Sequence, residues 1–198
     1  MTDQAALLRQ LRLALRQNDD AAALTILGQL TTLARAEDDH AALARHHGSI
    51  AHIYHRQGQL DAALEHLALA LDSARADGDL ALQSGLLGNM GHLLREAARC
   101  DEAIHYLENA LALAVDVGDE RGRGVWLSNL ALVYDDLRQF ANAIPLHEQS
   151  VHVARGLRDL RGLAARLGYL AQSCTAFGDH PGALIHLQEA VMIDRDLS

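Results

Sequence analysis

A period of forty residues restricts the fold of this chain more than any other feature of its sequence. Several columns of like residues keep in phase along the chain: Asp39, Asp79, Asp119 and Asp159; Ala23, Ala63, Ala103, Ala143 and Ala183, each followed by Leu or Ile; and Leu30, Ala70, Ala110, Ser150 and Ala190. Tandem units of this kind stack on their neighbours and bury a continuous core. The predicted organisation is one domain of five units, with a degenerate first unit: 1–40, 41–80, 81–120, 121–160 and 161–198.

Each unit is predicted to form two helices. In the first helix, apolar or small residues recur at i, i+3, i+4 and i+7, as in Leu127, Leu130, Ala131 and Tyr134. The second helix carries the alanine column and its partner seven residues later, where small side chains let neighbouring helices approach closely. Hydrophobic residues make up 49% of the chain but aromatic residues only 4%. This composition favours close-packed helices over a sandwich or barrel, so the predicted fold class is all-α.

The segment DVGDERGRG, residues 116–124, raises the possibility of a phosphate-binding loop. However, no strand precedes it and no lysine follows it, and the P-loop pattern requires both. The segment instead has the phase of the junctions at which one unit ends and the next begins. Gly118 stands where a helix C-terminal glycine is expected, and Asp119 stands at the expected N-cap of the next helix. We predict a joint between helices.

Composition excludes several classes of function. All 17 basic residues are arginine, which removes Schiff-base chemistry and the P-loop lysine. A net charge of −9 disfavours binding to nucleic acid or an anionic membrane. The two cysteines, Cys100 and Cys174, form no CxxC pair and are predicted to be reduced core thiols. Without an apolar run long enough to span a bilayer or a signal-peptide pattern, the predicted location is the cytoplasm.

Twelve histidines suggest a metal site, but their pattern is weak. His52, His55 and His92 could bind zinc if all three pointed inward, although adventitious binding or none is favoured because no supporting ligand shell is evident. HEQSVH, residues 147–152, places His152 one position too late for the zinc-protease pattern, and His147 falls in a leucine column that predicts packing. No nucleophile arrangement can be assigned. We predict a non-enzyme without metal or cofactor.

The helix-pair pattern resembles the tetratricopeptide repeat. In unit 121–160 the matching residues are Leu130, Ala131, Tyr134, Ala143 and the Ser150 position. The forty-residue unit is similar to the longer repeats of kinesin light chains, spindle-orientation adaptors and bacterial peptide-pheromone receptors, and NAIPLHEQSV (142–151) is similar to a second helix of kinesin light chain repeats. The resemblance covers residues 41–198 strongly and 1–40 weakly. It implies a right-handed α-solenoid of five antiparallel helix pairs.

In such arrays the first helices line a concave groove that holds protein or peptide segments. The resemblance therefore implies these peptide-binding residues: Arg45, Ser49, His52, His55, Arg56, Asn89, His92, Arg95, Asn129, Leu132, Asp135, Asp136, Tyr169 and Gln172. Asn89 and Asn129 are the sharpest signal, because an amide offers a donor and an acceptor to an extended backbone and the two lie one repeat apart. The alternative for them is an exposed asparagine that bonds within its own helix. The arginines and histidines of 41–120 and the acids of the next unit would suit a peptide with one acidic and one basic half.

The last helix carries apolar residues that a following helix would normally cover, among them Leu184, Leu187 and Val191. The chain is expected to be a fragment of a longer protein, and the isolated chain to form a homodimer through this helix. The leading functional prediction is a non-catalytic scaffold or sensor module that binds a peptide. The alternatives are a regulatory domain of a larger signalling protein or transcription regulator, and a purely structural array.

Overall fold

The structure, a computed structural model, describes residues 4–197. In this range ten α-helices and no strand are found: α1 (Gln4–Arg16), α2 (Asp20–Ala36), α3 (His40–Arg56), α4 (Leu60–Asp77), α5 (Leu80–Glu96), α6 (Cys100–Asp116), α7 (Glu120–Asp136), α8 (Phe140–Gly156), α9 (Leu160–Phe177) and α10 (His180–Asp196). The predicted all-α repeat fold is confirmed. None of these helices is long and apolar enough to cross a membrane.

The chain separates into two compact units, described over residues 4–89 and 90–197, with the boundary inside α5. In the first unit, α2 packs against α1 and α3, and α3 packs against α4. In the second unit, each helix from α6 to α10 packs against the next, and α7 also contacts α9. The prediction of one domain with five repeats at the boundaries given above stays a prediction.

Every joint between two described helices contains one residue in the left-handed region of φ. These residues recur every twenty positions, at Asn18, Asp38, Gly58, Gly78, Ala98, Gly118, Arg138, Arg158 and Gly178. A single residue of positive φ lets a short joint turn the chain back after a helix ends. Glycine adopts this conformation without strain, whereas a side chain such as that of Ala98 does so at a cost. The twenty-residue spacing shows that the joint geometry is common to all helices, whatever residue stands there.

The segment DVGDERGRG forms the joint between α6 and α7, as predicted. Gly118 has φ +70°, and the Oδ1 atom of Asp119 accepts a hydrogen bond from the Gly122 N–H at 2.9 Å. That bond satisfies one of the free amides at the start of α7. A Cβ atom at Gly122 would collide with the same carboxylate, so the glycine makes room for the cap. The joint interpretation is confirmed.

The columns of small residues form the centre of the packing. The five alanines of the first column are at most 3% exposed, and Ser150 of the second column is fully buried. Ser150 donates its hydroxyl to the Gly124 carbonyl at 2.8 Å, which compensates for the burial of its polar atom. Cys174 is buried as predicted, whereas Cys100 is only partly buried. Close contact between helices is thus possible because these columns carry no bulky side chains.

Candidate functional site

The predicted peptide-binding residues lie on the odd-numbered helices, and each unit is described separately. In the first unit, Arg45, His52, Arg56 and Asn89 are exposed, and Ser49 and His55 are partly buried. In the second unit, Asp136, Tyr169 and Gln172 are exposed, and His92, Arg95, Asn129, Leu132 and Asp135 are partly buried. Most of these side chains are therefore accessible to a ligand, and their role in binding stays a prediction.

Two of the predicted residues, Asn129 of α7 and Tyr169 of α9, line one open pocket of about 240 Å³. The remaining lining residues are Val125, Ser128, Asp159, Gly162, Ala165 and Arg166. Tyr169 keeps 38% of its surface exposed and Val125 keeps 39%, so the pocket offers an aromatic and an aliphatic contact beside the asparagine amide. Apolar walls with a few polar groups are typical of sites that bind peptides or small ligands. We call this site the α7–α9 pocket.

The asparagine side chains differ in whether they form hydrogen bonds within the chain. Asn109 of α6 donates to the His105 carbonyl at 2.9 Å, and Asn142 of α8 donates to the Gln139 Oε1 atom at 3.0 Å. Among the described residues, no hydrogen-bond partner is found for the amide of Asn89 or Asn129. The alternative of a local bond within the helix therefore fails for both.

Arg166 is a pocket residue that sequence reasoning missed. Its side chain is only 12% exposed, its Nη1 atom lies 3.5 Å from the Oδ2 atom of Asp159, and its buried Nε atom has no partner within residues 4–197. Gly162 leaves space for the guanidinium, since a Cβ atom there would collide with Nη1. Its repeat column holds Leu86 and Trp126 in the two preceding units, so the sequence pattern indicated packing at this position.

Asp135 is used within the chain and is less available to a ligand than its predicted role requires. The Nε2 atom of His147 lies 2.9 Å from its Oδ2 atom, and the Ser173 hydroxyl donates to both carboxylate oxygens at 2.7 and 2.8 Å. His147 is fully buried, which confirms its predicted packing role, and its ring stacks on Tyr169 with centroids 6.2 Å apart. The Asp135 carboxylate thus joins α7 to α8 and α9.

Ion pairs also reduce the predicted separation of charge along the odd-numbered helices. In the second unit, the Nε atom of Arg95 lies 2.7 Å from the Oδ2 atom of Asp136, which pairs a predicted basic residue with a predicted acidic one. In the first unit, Arg56 forms an ion pair with Asp20 of α2. A paired charge attracts a ligand of opposite sign less than a free one does, so a peptide with one acidic and one basic half gains less here than the sequence suggests.

A histidine cluster lies between α3 and α4 in the first unit. The Nδ1 atoms of His47 and His66 are 3.0 Å apart, so one imidazole must donate a proton and the other must accept it. Burial lowers the pKa of His47 to about 4, with the neighbouring His66 and Arg35 adding to the effect, and burial also lowers the pKa of His66. The unfolded chain, with a histidine pKa near 6.5, takes up protons first. The folded state therefore loses stability as the pH falls from about 6.5 to about 4.

The last described helix presents an apolar face to solvent. Leu184 is 56% exposed, Leu187 is 45% exposed and Val191 is 49% exposed, and they line a pocket of about 490 Å³ with Gln188, Met192 and Arg195. By contrast, the residues equivalent to Leu187 on α2, α4 and α6, which are Leu27, Leu67 and Leu107, are at most 3% exposed. The predicted dimer contact thus corresponds to an accessible apolar surface, and dimerisation stays a prediction.

Comparisons with solved structures give the same fold. A putative kinesin light chain with TPR-like repeats from Podosopora anserina has a TM-score of 0.77 at 21% identity, covering 100% of this chain and 99% of that chain. BtubC (BKLC) from P. vanneervenii has a TM-score of 0.75 at 20% identity, with 98% and 90% covered. Aspartyl phosphate phosphatase F from Bacillus subtilis has a TM-score of 0.84 at 14% identity, with 94% of this chain and 49% of that chain covered.

A comparison with curated proteins finds no match. The sequence profile of the tetratricopeptide repeat matches residues 82–156 and 122–196, and a second profile of the same repeat matches residues 47–81. Together these segments cover well over half of the chain. The repeat is typical of non-catalytic modules that serve as scaffolds for protein interaction. The chain therefore belongs to the tetratricopeptide repeat family.

Proposed function

We propose that this protein is a non-catalytic scaffold or sensor module that binds a peptide or protein segment in extended form along its odd-numbered helices. The observation that supports the proposal is the state of Asn89 and Asn129. Both amides stand at the same phase of the repeat, and within residues 4–197 neither has a hydrogen-bond partner. An amide with a free donor and a free acceptor matches the backbone of an extended peptide.

The α7–α9 pocket is a second observation that supports the proposed peptide binding. Beside Asn129 it offers the ring of Tyr169 and the side chain of Val125, both more than a third exposed. Tyrosine contributes a large contact area with few rotatable bonds, so it loses little conformational entropy when a partner binds. A peptide would hydrogen-bond to the amide through its backbone and place one side chain against these apolar surfaces.

The experiment begins with a random-peptide display selection on the full chain. An enriched peptide is then titrated against wild type and against the single variants Asn89→Ala, Asn129→Ala and Asn109→Ala. Loss of one amide that bonds a peptide backbone should weaken binding about tenfold, equivalent to about 1.4 kcal/mol. Asn109→Ala is the matched control, because it removes the same group from an exposed site on an even-numbered helix. Failure to enrich any peptide, or equal affinities for all four proteins, would contradict the proposal.

A second candidate is a regulatory domain within a larger protein. It is favoured by the match to aspartyl phosphate phosphatase F, of which this chain corresponds to 49% of the length at a TM-score of 0.84. The full reading frame distinguishes the two functions. A catalytic or DNA-binding domain encoded next to the repeats would favour regulation, and its absence would favour a scaffold.

A further inference from the structure

We infer that the exposed face of α10 is one half of a contact between two copies of this chain, and that α1 of the second copy is the other half. The two faces belong to one repeated interface, in which an even-numbered helix packs against the odd-numbered helix that follows it. In the first unit α2 packs against α3 in this way, and in the second unit α6 packs against α7 and α8 against α9. Self-association of this kind goes beyond the proposed peptide binding and does not depend on it.

The contact between α2 and α3 shows what each half of the interface contributes. Leu27 of α2 belongs to the same buried cluster as Ile50 and Ile53 of α3, and Leu24 packs against that cluster. On α10 the positions of Leu24 and Leu27 are held by Leu184 and Leu187, both of which are exposed. The last described helix thus carries the even-numbered half of the interface without an odd-numbered helix upon it.

The first described helix, α1, carries the other half. Leu13 stands at the position of Ile53 and is 56% exposed. In the later odd-numbered helices the residues of this column are at most 3% exposed: Ile53, Leu93, Val133 and Ser173. Gln10, at the position of Ile50, is also exposed, so the α1 half is less apolar than its equivalents. A copy of α1 that lies on α10 as α3 lies on α2 would cover Leu187 with Leu13.

Charge favours α1 over a second α10 as the partner. Between Gln4 and Arg16, α1 has three arginines and no acidic residue, whereas α10 has three acidic residues and one arginine. These residues are Arg9, Arg12 and Arg16 on α1 and Glu189, Asp194, Asp196 and Arg195 on α10. Even with Glu189 paired to Arg155, α10 keeps an acidic excess. Two α10 helices would bring like charges together, whereas α1 and α10 have opposite charges.

The position of Asp194 is compatible with the same register. Its equivalent on α2, Ala34, is buried in a cluster with Ala42 and Leu43 of the first turn of α3. The Asp194 carboxylate would therefore lie beside the N-terminal end of the second copy's α1. The macrodipole of that helix favours a negative charge at this end.

The test uses two substitutions in the full chain, each of which disrupts one half of the contact. Leu187→Glu removes the α10 half and keeps α1, and Leu13→Glu removes the α1 half and keeps α10. Sedimentation equilibrium is measured at up to about 1 mM, which detects contacts with a Kd below this value. We expect the wild type to reach at least the mass of two chains and each variant alone to be a monomer. An equimolar mixture of the two variants should form a pair that contains one copy of each.

Two control variants place the same substitution elsewhere on these helices. Leu15→Glu on α1 and Ile185→Glu on α10 lie in columns that are not buried in any described repeat, so both should associate as the wild type does. Association of Leu13→Glu alone would assign the α10 face to a second α10 and overturn the inference. A monomeric wild type, or a mixture that stays monomeric, would overturn it as well.

A further variant tests the contact in the opposite direction. Gln10→Leu places an apolar side chain at the position that Ile50 holds on α3, and its burial should lower the Kd for self-association about tenfold. The same substitution combined with Leu187→Glu should give a monomer, because the α10 half is then missing. An unchanged Kd for Gln10→Leu would show that α1 does not lie on α10 in this register, which would also overturn the inference.

Discussion

Two glycines of the second unit, Gly91 and Gly168, both lie inside helices. Replacement by alanine should destabilise the protein at Gly91 and stabilise it at Gly168. Gly91 is buried in α5, and Gly168 lies in α9. A Cβ atom at Gly91 would lie 2.5 Å from Cγ and 3.0 Å from Cδ2 of Leu107, and 3.1 Å from the Ala103 carbonyl oxygen. A Cβ atom at Gly168 would meet no other atom within 4 Å.

The magnitudes follow from these contacts. Alanine in place of glycine stabilises a helix interior by roughly 0.5–1 kcal/mol, and Gly168→Ala should gain this amount. At Gly91 the same gain is opposed by overpacking, which costs about 1–3 kcal/mol. Leu107 is fully buried and is approached at its branch point, so it cannot move aside freely. We expect Gly91→Ala to lose about 1–2 kcal/mol, which leaves a gap of about 1.5–3 kcal/mol between the two variants.

The assay is urea unfolding followed by the fluorescence of Trp126, the single tryptophan of the chain, which is buried in the same unit. For a urea dependence of about 2 kcal/mol per molar, the two midpoints should differ by about 1 M. A urea midpoint of Gly91→Ala at or above that of Gly168→Ala would show that contact with Leu107 does not destabilise the Gly91→Ala variant. The packing argument would then be refuted.

Three further outcomes are expected. Asp135→Ala removes the acceptor of the buried His147 and of Ser173, so the same fluorescence assay should show a loss of about 2–4 kcal/mol; an unchanged midpoint would contradict the network. The unfolding free energy from circular dichroism should fall by roughly 1–3 kcal/mol between pH 6.5 and 4, and the fall should be smaller in His47→Gln; equal falls in both proteins would exclude the histidine as its source. Sedimentation should show wild type as a dimer at high concentration and Leu187→Glu as a monomer; a wild-type mass of one chain would refute dimerisation through α10.

The N-terminal ends of several helices could be predicted because their causes are local. Asp119 and Asp159 stand three residues before the amides that they cap, at Gly122 and Gly162. A contact over so short a distance depends on residue type and spacing alone. The periodic stripes of the helices are local in the same sense, since helical geometry brings i, i+3 and i+4 to one face.

The candidate site was only partly predictable. Asn129 and Tyr169 were assigned to the binding surface from their phase in the repeat, and both line the α7–α9 pocket. Arg166 was missed because its column holds Leu86 and Trp126 in earlier units, which indicates packing rather than binding. Its environment depends on the folded chain, where only 12% of the side chain stays exposed and Arg166 lines a pocket with residues of α7. The residue types of one column do not record which helix packs beside it.

The sequence alone determined the all-α class, the repeat period and the helix-to-helix joints, because repeated local spacing carries that information. Tertiary structure decided how individual polar groups are used. It paired Asp135 with His147 and Ser173 from two other helices, and left the amide of Asn129 free. It also placed Ala98 in a left-handed conformation that its side chain disfavours. These outcomes depend on rotamers and on contacts between helices distant in the chain, where packing outweighs local preference.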